Sequence, residues 1–248
     1  MKDFNFFVGA NTAALKYAAD YLKSAGVPLA TVPGPDVTHL LLGVPTFNPD
    51  GTLKGGGQLT ELLPLFSPDI TVMGGNLQHP ALEGYRTADL LADPLYLAEN
   101  ARITAHCAIG LAMTQLPVTL YGCHILVIGW GRIGKLLAAL ARNMGAIVTV
   151  AARKPADRAM VLSLGYDSID MDSLEGSLLR YRVIFNTVPA PVLSKDVLEE
   201  TAPDCLKIDL ASTPGMDAPD VQWARGLPNQ DAPESSGALI ARTVLRLR

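Results

Sequence analysis

The stretch Cys123-His-Ile-Leu-Val-Ile-Gly129-Trp-Gly131-Arg-Ile-Gly134-Lys135 decides the fold. An apolar run, Ile125 to Ile128, enters the pattern G-x-G-x-x-G, and a helical pattern, Arg132 to Asn143, leaves it. A strand that turns on glycine into a helix presents the unpaired amides of the helix N-terminus to an anion. Gly129 permits the tight turn, Gly131 lets a pyrophosphate approach the backbone, and Gly134 lets the helix pack on the sheet. Gly129, Trp130, Gly131, Arg132, Ile133 and Gly134 are therefore the expected dinucleotide-binding turn. A glycine-rich turn without a ligand is the alternative, and it does not explain why strand, turn, helix and second strand all fall at the dinucleotide-binding spacing.

The next strand, Ile147 to Ala151, bears on which dinucleotide is bound. An acidic residue about 20 positions past the first glycine holds the ribose 2′-hydroxyl of NAD, and none stands there. The strand ends Ala151-Ala152-Arg153-Lys154 instead. Two cations suit a 2′-phosphate, because a guanidinium bonds that phosphate and stacks on adenine. NADP is the expected cofactor; a solvated strand end is the plainer reading of Arg153 and Lys154. Ligands in open α/β sheets lie outside the carboxyl ends of strands. That rule adds Asn186, Thr187, Val188 and Pro189 after the strand Val183 to Asn186, and Asp209, Ala211 and Ser212 after the strand Leu206 to Leu210. The prolines there, and Asp209 as a loop cap, have equally good structural readings.

Outward from this stretch, helices are expected over Ala156 to Leu164 and Ser194 to Glu200, and the region of Trp223 reads as helical. Pro228 to Pro233 reads as a polar loop, and Ser235-Ser236 opens a terminal helix with Leu239, Ile240, Val244 and Leu247 on one stripe. Upstream, strands are expected at Phe4 to Val8, Pro28 to Val32, His39 to Gly43 and Ile70 to Met73. Helices are expected at Ala13 to Ser24, capped by Asn11 or Thr12, and at Leu59 to Phe66. Pro94 to about Gln115 is one long helical pattern that stops before Pro117. The expected fold class is α/β: two α/β domains joined by a long helix, the second a Rossmann-type doubly wound parallel sheet. The expected division is residues 1–93, an interdomain helix 94–116, a dinucleotide-binding domain 117–231, and a terminal helix 232–248 packing back across the cleft.

Composition narrows the function classes. Of 248 residues, 49% are hydrophobic and 18% charged, which excludes disorder as a description of the whole. Twenty Lys and Arg against 24 Asp and Glu leave a net charge of -4, with no general attraction for nucleic acid or anionic lipid. Cys107, Cys123 and Cys205 lack metal or disulfide spacing and read as thiols in a reducing compartment. Met1-Lys2-Asp3-Phe4-Asn5 has no leader character and no apolar run suits a bilayer, so a soluble cytoplasmic protein is expected. Of the four histidines, His39, His79 and His124 lack metal-ligand spacing, and no metal is expected.

The residues from Thr104 through Gly134 resemble the dipicolinate synthase family, in its first, nucleotide-binding subunit. So do Ala152-Arg153, Phe185-Asn-Thr-Val-Pro189, Ile208-Asp-Leu-Ala-Ser-Thr-Pro-Gly215, Gly226-Leu-Pro228, Ala232-Pro233 and Gly237. Gly74-Gly75-Asn76 looks like that family's small-residue turn. The resemblance implies hydride removal from dihydrodipicolinate by NADP in sporulating bacteria, with the flavoprotein-like second subunit of dipicolinate synthase as partner; a homo-oligomer is also expected. Where the family shows Thr-x-Glu-Gly, this chain has Thr104-Ala105-His106-Cys107, an imidazole in place of a carboxylate. Asn229-Gln230-Asp231 replaces small residues, and the family's further strand after the Trp223 region is expected to be missing.

A dicarboxylate substrate needs hydrogen-bond donors and a proton acceptor. Asn100, Thr104 and His106 on the long helix are the catalytic candidates, with Asn76, His79 and Ser235-Ser236 as further donors. A lone helical histidine is more often packed or solvated than catalytic. A 2-hydroxyacid dehydrogenase is disfavoured, because those enzymes place a catalytic histidine late in the cofactor domain and none follows His124. A non-catalytic NADP-binding regulatory or complex-forming protein stays open as the second reading.

Overall fold

The computed structural model describes residues 4–248; Met1, Lys2 and Asp3, on which the expected lack of a leader partly rests, lie outside the described residues. The chain divides into two compact units, Met1–Asn100 with Pro228–Arg248, and Ala101–Leu227.

The first unit holds a four-stranded parallel sheet in the order β1 (Phe6–Val8), β2 (His39–Leu41), β3 (Thr71–Gly74), β4 (Arg86–Asp89). β2 is buried throughout, as a parallel strand covered on both faces is, and its one polar side chain, His39, stacks on Phe6 at 4.5 Å. α1 (Ala13–Ser24) starts where Thr12 accepts from the Leu15 N–H, so of the two expected caps Thr12 is the one used. Leu40, Leu42, Leu59, Leu63, Ile70 and Val72 form the core beneath the short helix α2 (Leu59–Leu62). The expected strand Pro28 to Val32 reduces to a single bridge between Leu29 and Phe6, because the turn Pro33-Gly34-Pro35 leaves no length for a ladder. β4 was not expected; its Arg86 and Thr87 are exposed and lack apolar alternation.

α3 (Pro94–Gln115) is one continuous helix that ends before Pro117, as its pattern predicts; its residues up to Asn100 fall in the first unit.

The second unit is a six-stranded, wholly parallel sheet in the order β10-β9-β8-β5-β6-β7. The strands are β5 (His124–Ile128), β6 (Ile147–Ala152), β7 (Asp167–Asp170), β8 (Val183–Asn186), β9 (Leu206–Asp209) and β10 (Val221–Trp223). Numbered from β5 this is 6-5-4-1-2-3, the Rossmann order, with its reversal between β5 and β8. α4 (Arg132–Asn143), α5 (Pro155–Ser163) and α6 (Lys195–Leu198) supply crossovers. Residues 221–223 are therefore a strand and not the expected helix, and the sixth strand expected to be missing is present. Val221, Gln222 and Trp223 alternate over only three residues, too few for a strand signal, and Gln222 and Trp223 are exposed; they are held by pairing with Lys207, Ile208 and Asp209.

Pro228 to Pro233 is not the expected loop throughout, since α7 (Leu227–Asp231) is helical and Pro228 is buried. α8 (Pro233–Leu247) belongs to the first unit and docks on α1. An added Cβ at Gly237 would fall on the carbonyl oxygen of Ala14 and within 2.6 Å of Tyr17 Cβ. Close helix approach thus requires glycine there. Gly237→Ala is expected to cost about 2 kcal/mol by overpacking, read as a lowered melting temperature; an unchanged melt contradicts this contact.

Among the described residues, no helix is long and apolar enough to cross a membrane.

Candidate functional site

The three glycines of the 129–134 turn are glycine for three different reasons. Gly129 has φ +102°, and a side chain there would meet Thr187 Oγ1 at 2.5 Å. At Gly134 a Cβ would land on the Gly129 carbonyl oxygen, so α4 and β5 pack at backbone contact. Gly131 has φ -81°, which any residue adopts, and an added Cβ meets no protein atom within 4 Å. Neither backbone conformation nor internal packing requires glycine at 131. Space open to an external group is what remains.

α4 itself is electrostatically incomplete. Gly131 is its N-cap, no side chain caps it, and its first turn carries no acidic residue while opening on Arg132. The first amides of a helix have no internal acceptors, and their partial positive charge is stabilised by an anion. Arg132 adds to that positive charge. Trp130 flanks the turn, half-buried, with its ring edge-on to Tyr166 at 5.9 Å and Lys135 Nζ 5.7 Å from its centroid. Ile133 is half-buried beside it.

At the carboxyl end of β6, Arg153 and Lys154 are exposed, and Lys154 is the N-cap of α5 without a side-chain cap bond. Sequence reading missed Arg158. Its Nη1 donates to the carbonyls of Ala152 (3.0 Å) and Arg153 (2.7 Å), and its Nη2 pairs with Asp170 Oδ2 at 2.7 Å. The only signal in the sequence was a cation one helical turn into α5.

Across the sheet reversal, Thr187 closes on the glycine turn: its N–H and its hydroxyl both donate to the Ile128 carbonyl at 2.9 Å. Asn186 and Asp209, in register at the ends of β8 and β9, are completely buried. Asn186 Nδ2 donates to Asp209 Oδ1 at 3.0 Å and to the Val188 carbonyl at 3.0 Å, while its Oδ1 accepts from the Val188 N–H. Asp209 Oδ1 also accepts from the Ala211 N–H, and Oδ2 accepts from the N–H groups of Gly215 (2.7 Å) and Met216 (3.2 Å). These two side chains spend their polar atoms shaping loops 187–190 and 210–216. Val188, Pro189 and Ser212 are the surface they present, with Ala211 buried beneath. Trp223, also missed, donates its Nε1–H to the Ala211 carbonyl at 2.9 Å and so ties β10 to the same loop.

The catalytic candidates on α3 do not converge. Asn100 and Thr104, one turn apart, share a face; Thr104 is buried and Asn100 half-buried, and both are engaged by neighbours. His106 lies two residues from Thr104, about 200° round the helix, and is exposed. In the first unit, His79 Nδ1 accepts from the Ala81 N–H and its ring stacks on Phe47 at 4.8 Å. Ser236 is buried and donates to Asn229 Oδ1, whose Nδ2 donates to the Val44 carbonyl. Ser235 is exposed, as is Asn76, which turns at φ +58° while Asp89 accepts from its N–H and that of Leu77. Among the described residues, no group of three or more His, Cys, Asp or Glu is arranged to hold a metal ion.

No family model matches the chain. Over 158 residues it is 30% identical to the first (A-type) subunit of dipicolinate synthase of Bacillus subtilis (strain 168); the match covers 60% of this chain and 52% of that protein, about half the relative's length. The solved structure of the same dipicolinate synthase subunit from Bacillus halodurans superposes with a TM-score of 0.86 at 22% identity, covering 99% of this chain and 98% of that one. A transhydrogenase from Sinorhizobium meliloti superposes at 0.73 with 15% identity, covering 98% and 92%. The curated relative and the first of these structures carry the same description, and the chain has their Rossmann-type dehydrogenase fold.

Proposed function

We propose that this chain is an NADP-dependent oxidoreductase of the type found in the first subunit of dipicolinate synthase. Its reaction would oxidise dihydrodipicolinate to dipicolinate in the cytoplasm of a sporulating cell, with the second dipicolinate synthase subunit as partner and the chain itself as a homo-oligomer. The observation that carries the reading is the uncapped, acid-free first turn of α4 behind an open Gly131, with the exposed Arg153 and Lys154 following the neighbouring strand β6. That donor set fits a phosphorylated dinucleotide: amides for the pyrophosphate, cations for the 2′-phosphate. The 30% identity to the curated relative supports the reaction class, and the shared fold supports a nicotinamide cofactor.

A bound nicotinamide would supply the hydride acceptor. The chain's own contribution is positioning. The α4 amides with Gly129, Trp130, Gly131, Arg132 and Ile133 would hold the pyrophosphate, while Gly134 keeps the helix against the sheet. Thr187, Val188, Pro189 and Ser212, shaped by Asn186 and Asp209 and backed by Ala211, would border the nicotinamide ribose. Asn100 and Thr104 share the face suited to orienting a ring carboxylate. Aromatising the dihydropyridine releases one hydride and one proton, so a proton acceptor is also needed. His106 is the imidazole of the Thr104–Cys107 segment, but its exposed face does not share that contact, which favours a proton leaving to solvent.

What favours the second reading, an NADP-binding protein without turnover, is the imidazole of His106 where the family shows a carboxylate, together with Asn229-Gln230-Asp231 in place of small residues. NADP reduction assayed with dihydrodipicolinate, with and without the second dipicolinate synthase subunit, separates the two: binding with no turnover in either arm selects the second.

The cofactor assignment is tested by titrating NADP and NAD against the unmodified chain and Arg153→Ala. The unmodified chain is expected to prefer NADP by about 10-fold or more, and the variant to lose most of that preference. Equal affinities in the unmodified chain discard the assignment.

A further inference from the structure

We infer that Arg158 is a positioning residue for 2′-phosphate recognition, an inference that rests on the NADP reading above. One guanidinium ties three points: the last residue of β6, the residue after it, and the last residue of β7. Its bonds to the Ala152 and Arg153 carbonyls and its pair with Asp170 are 3.0, 2.7 and 2.7 Å long. Ala152 and Asp170 are themselves partners in the sheet register. Both side chains are mostly shielded, 23% and 32% exposed, so these bonds are less screened than surface pairs.

The chain leaves the β6 ladder at Arg153, whose carbonyl accepts from Arg158, and α5 then starts at Pro155 with Lys154 as an N-cap that makes no side-chain bond. Arg158 is thus what holds the backbone of residue 153 while the Arg153 and Lys154 side chains stay exposed. Asp170 neutralises the Arg158 charge, so its contribution to phosphate binding is geometric. Only a planar fork spans three acceptors in fixed directions; a lysine ammonium keeps the charge and loses the fork.

The experiment measures dissociation constants for NADP and NAD, by quenching of tryptophan fluorescence, in the unmodified chain, Arg158→Lys, Arg158→Met and Arg153→Ala. Arg158→Lys is expected to weaken NADP by about 10-fold and NAD by less than about 2-fold, because loosening residue 153 matters only to the ligand that has a 2′-phosphate. Arg158→Met should lose at least as much NADP affinity, since it removes the fork and also leaves the Asp170 carboxylate unpaired. A ratio unchanged in Arg158→Lys, or equal losses for both nucleotides, overturns the inference; equal losses mean a purely structural role. No NADP preference in the unmodified chain, or none lost in Arg153→Ala, overturns the cofactor reading itself. A preference that depends on Arg153 and ignores Arg158→Lys overturns this inference alone.

Discussion

Gly131→Asp is expected to leave the fold intact and abolish dinucleotide binding, with affinity for NADP and NAD both falling by about 100-fold or more. Residue 131 has φ -81°, an added Cβ meets no protein atom within 4 Å, and an N-cap carboxylate stabilises α4, so the melting temperature should be unchanged or slightly raised. The introduced carboxylate takes the place of the anion at the unpaired amides of α4. It also repels a pyrophosphate at short range, where two like charges a few ångströms apart cost about 4 kcal/mol at an effective dielectric near 20. Calorimetric titration of the folded variant reads the outcome. Near-normal affinity would show that the turn is not where the nucleotide binds, and the proposed redox role would have no cofactor site.

Asp209→Ala is expected to destabilise the second unit by about 3 kcal/mol or more. Removing the carboxylate leaves three backbone donors without this acceptor, the N–H groups of Ala211, Gly215 and Met216, and costs Asn186 Nδ2 one of its two bonds, the one to the Val188 carbonyl remaining. Each unsatisfied buried donor costs about 1–3 kcal/mol before relaxation and water penetration reduce the sum. The loop cannot collapse to fill the gap, because Gly215 already sits where a Cβ would meet Asn186 Nδ2 at 2.5 Å and the Ala190 carbonyl at 2.6 Å. A drop in melting temperature on the order of 10 °C should accompany weakened binding of both nucleotides. Asp209→Asn, which keeps the shape and one acceptor, should lie between the two. A melt within a degree or two of the unmodified chain would mean that the 210–216 loop is held by something other than this carboxylate.

Both effects begin in residues that stand out in the sequence, while the roles they take were only partly visible there. Gly129, Gly131 and Gly134 were identifiable by spacing, yet Gly131 proves to be the one glycine of the three that no internal contact demands. Asn186 and Asp209 were expected to touch the cofactor. The structure makes them the internal scaffold of the loops that would do so, because a residue at the last position of a central strand is covered on both faces. His106 could have been separated from Thr104 by spacing alone, since two residues on a helix point to nearly opposite sides.

The strands β5, β6 and β8 were legible because each is a largely buried, mostly apolar run, β9 because Leu206, Ile208 and Leu210 alternate between turn residues, and α1, α3 and α4 because their periodicity and stop signals agree. Local sequence carries such elements, since burial on both faces of a parallel strand leaves little freedom in residue type. The edge strands β4, β7 and β10 were illegible for the complementary reason. Asp167-Ser-Ile-Asp170 has one apolar residue to place on a face and Val221-Gln-Trp223 is only three residues long and mostly exposed; they are strands because a neighbouring strand offers them hydrogen bonds.

Chain order alone, then, carried the glycine turn, the cations after β6 and the α/β alternation, all of which are local patterns of residue type. Which polar groups meet was settled by the packed sheet: Arg158 on Asp170, Asp209 on the 210–216 amides, Trp223 on Ala211. Trp223 and Ala211 stand 12 residues apart along the chain yet bond at 2.9 Å, and Arg158 reaches Asp170 at 2.7 Å. Only the closing of parallel strands brings donor and acceptor to such distances, because a strand's hydrogen-bond partners are set by register and not by sequence separation.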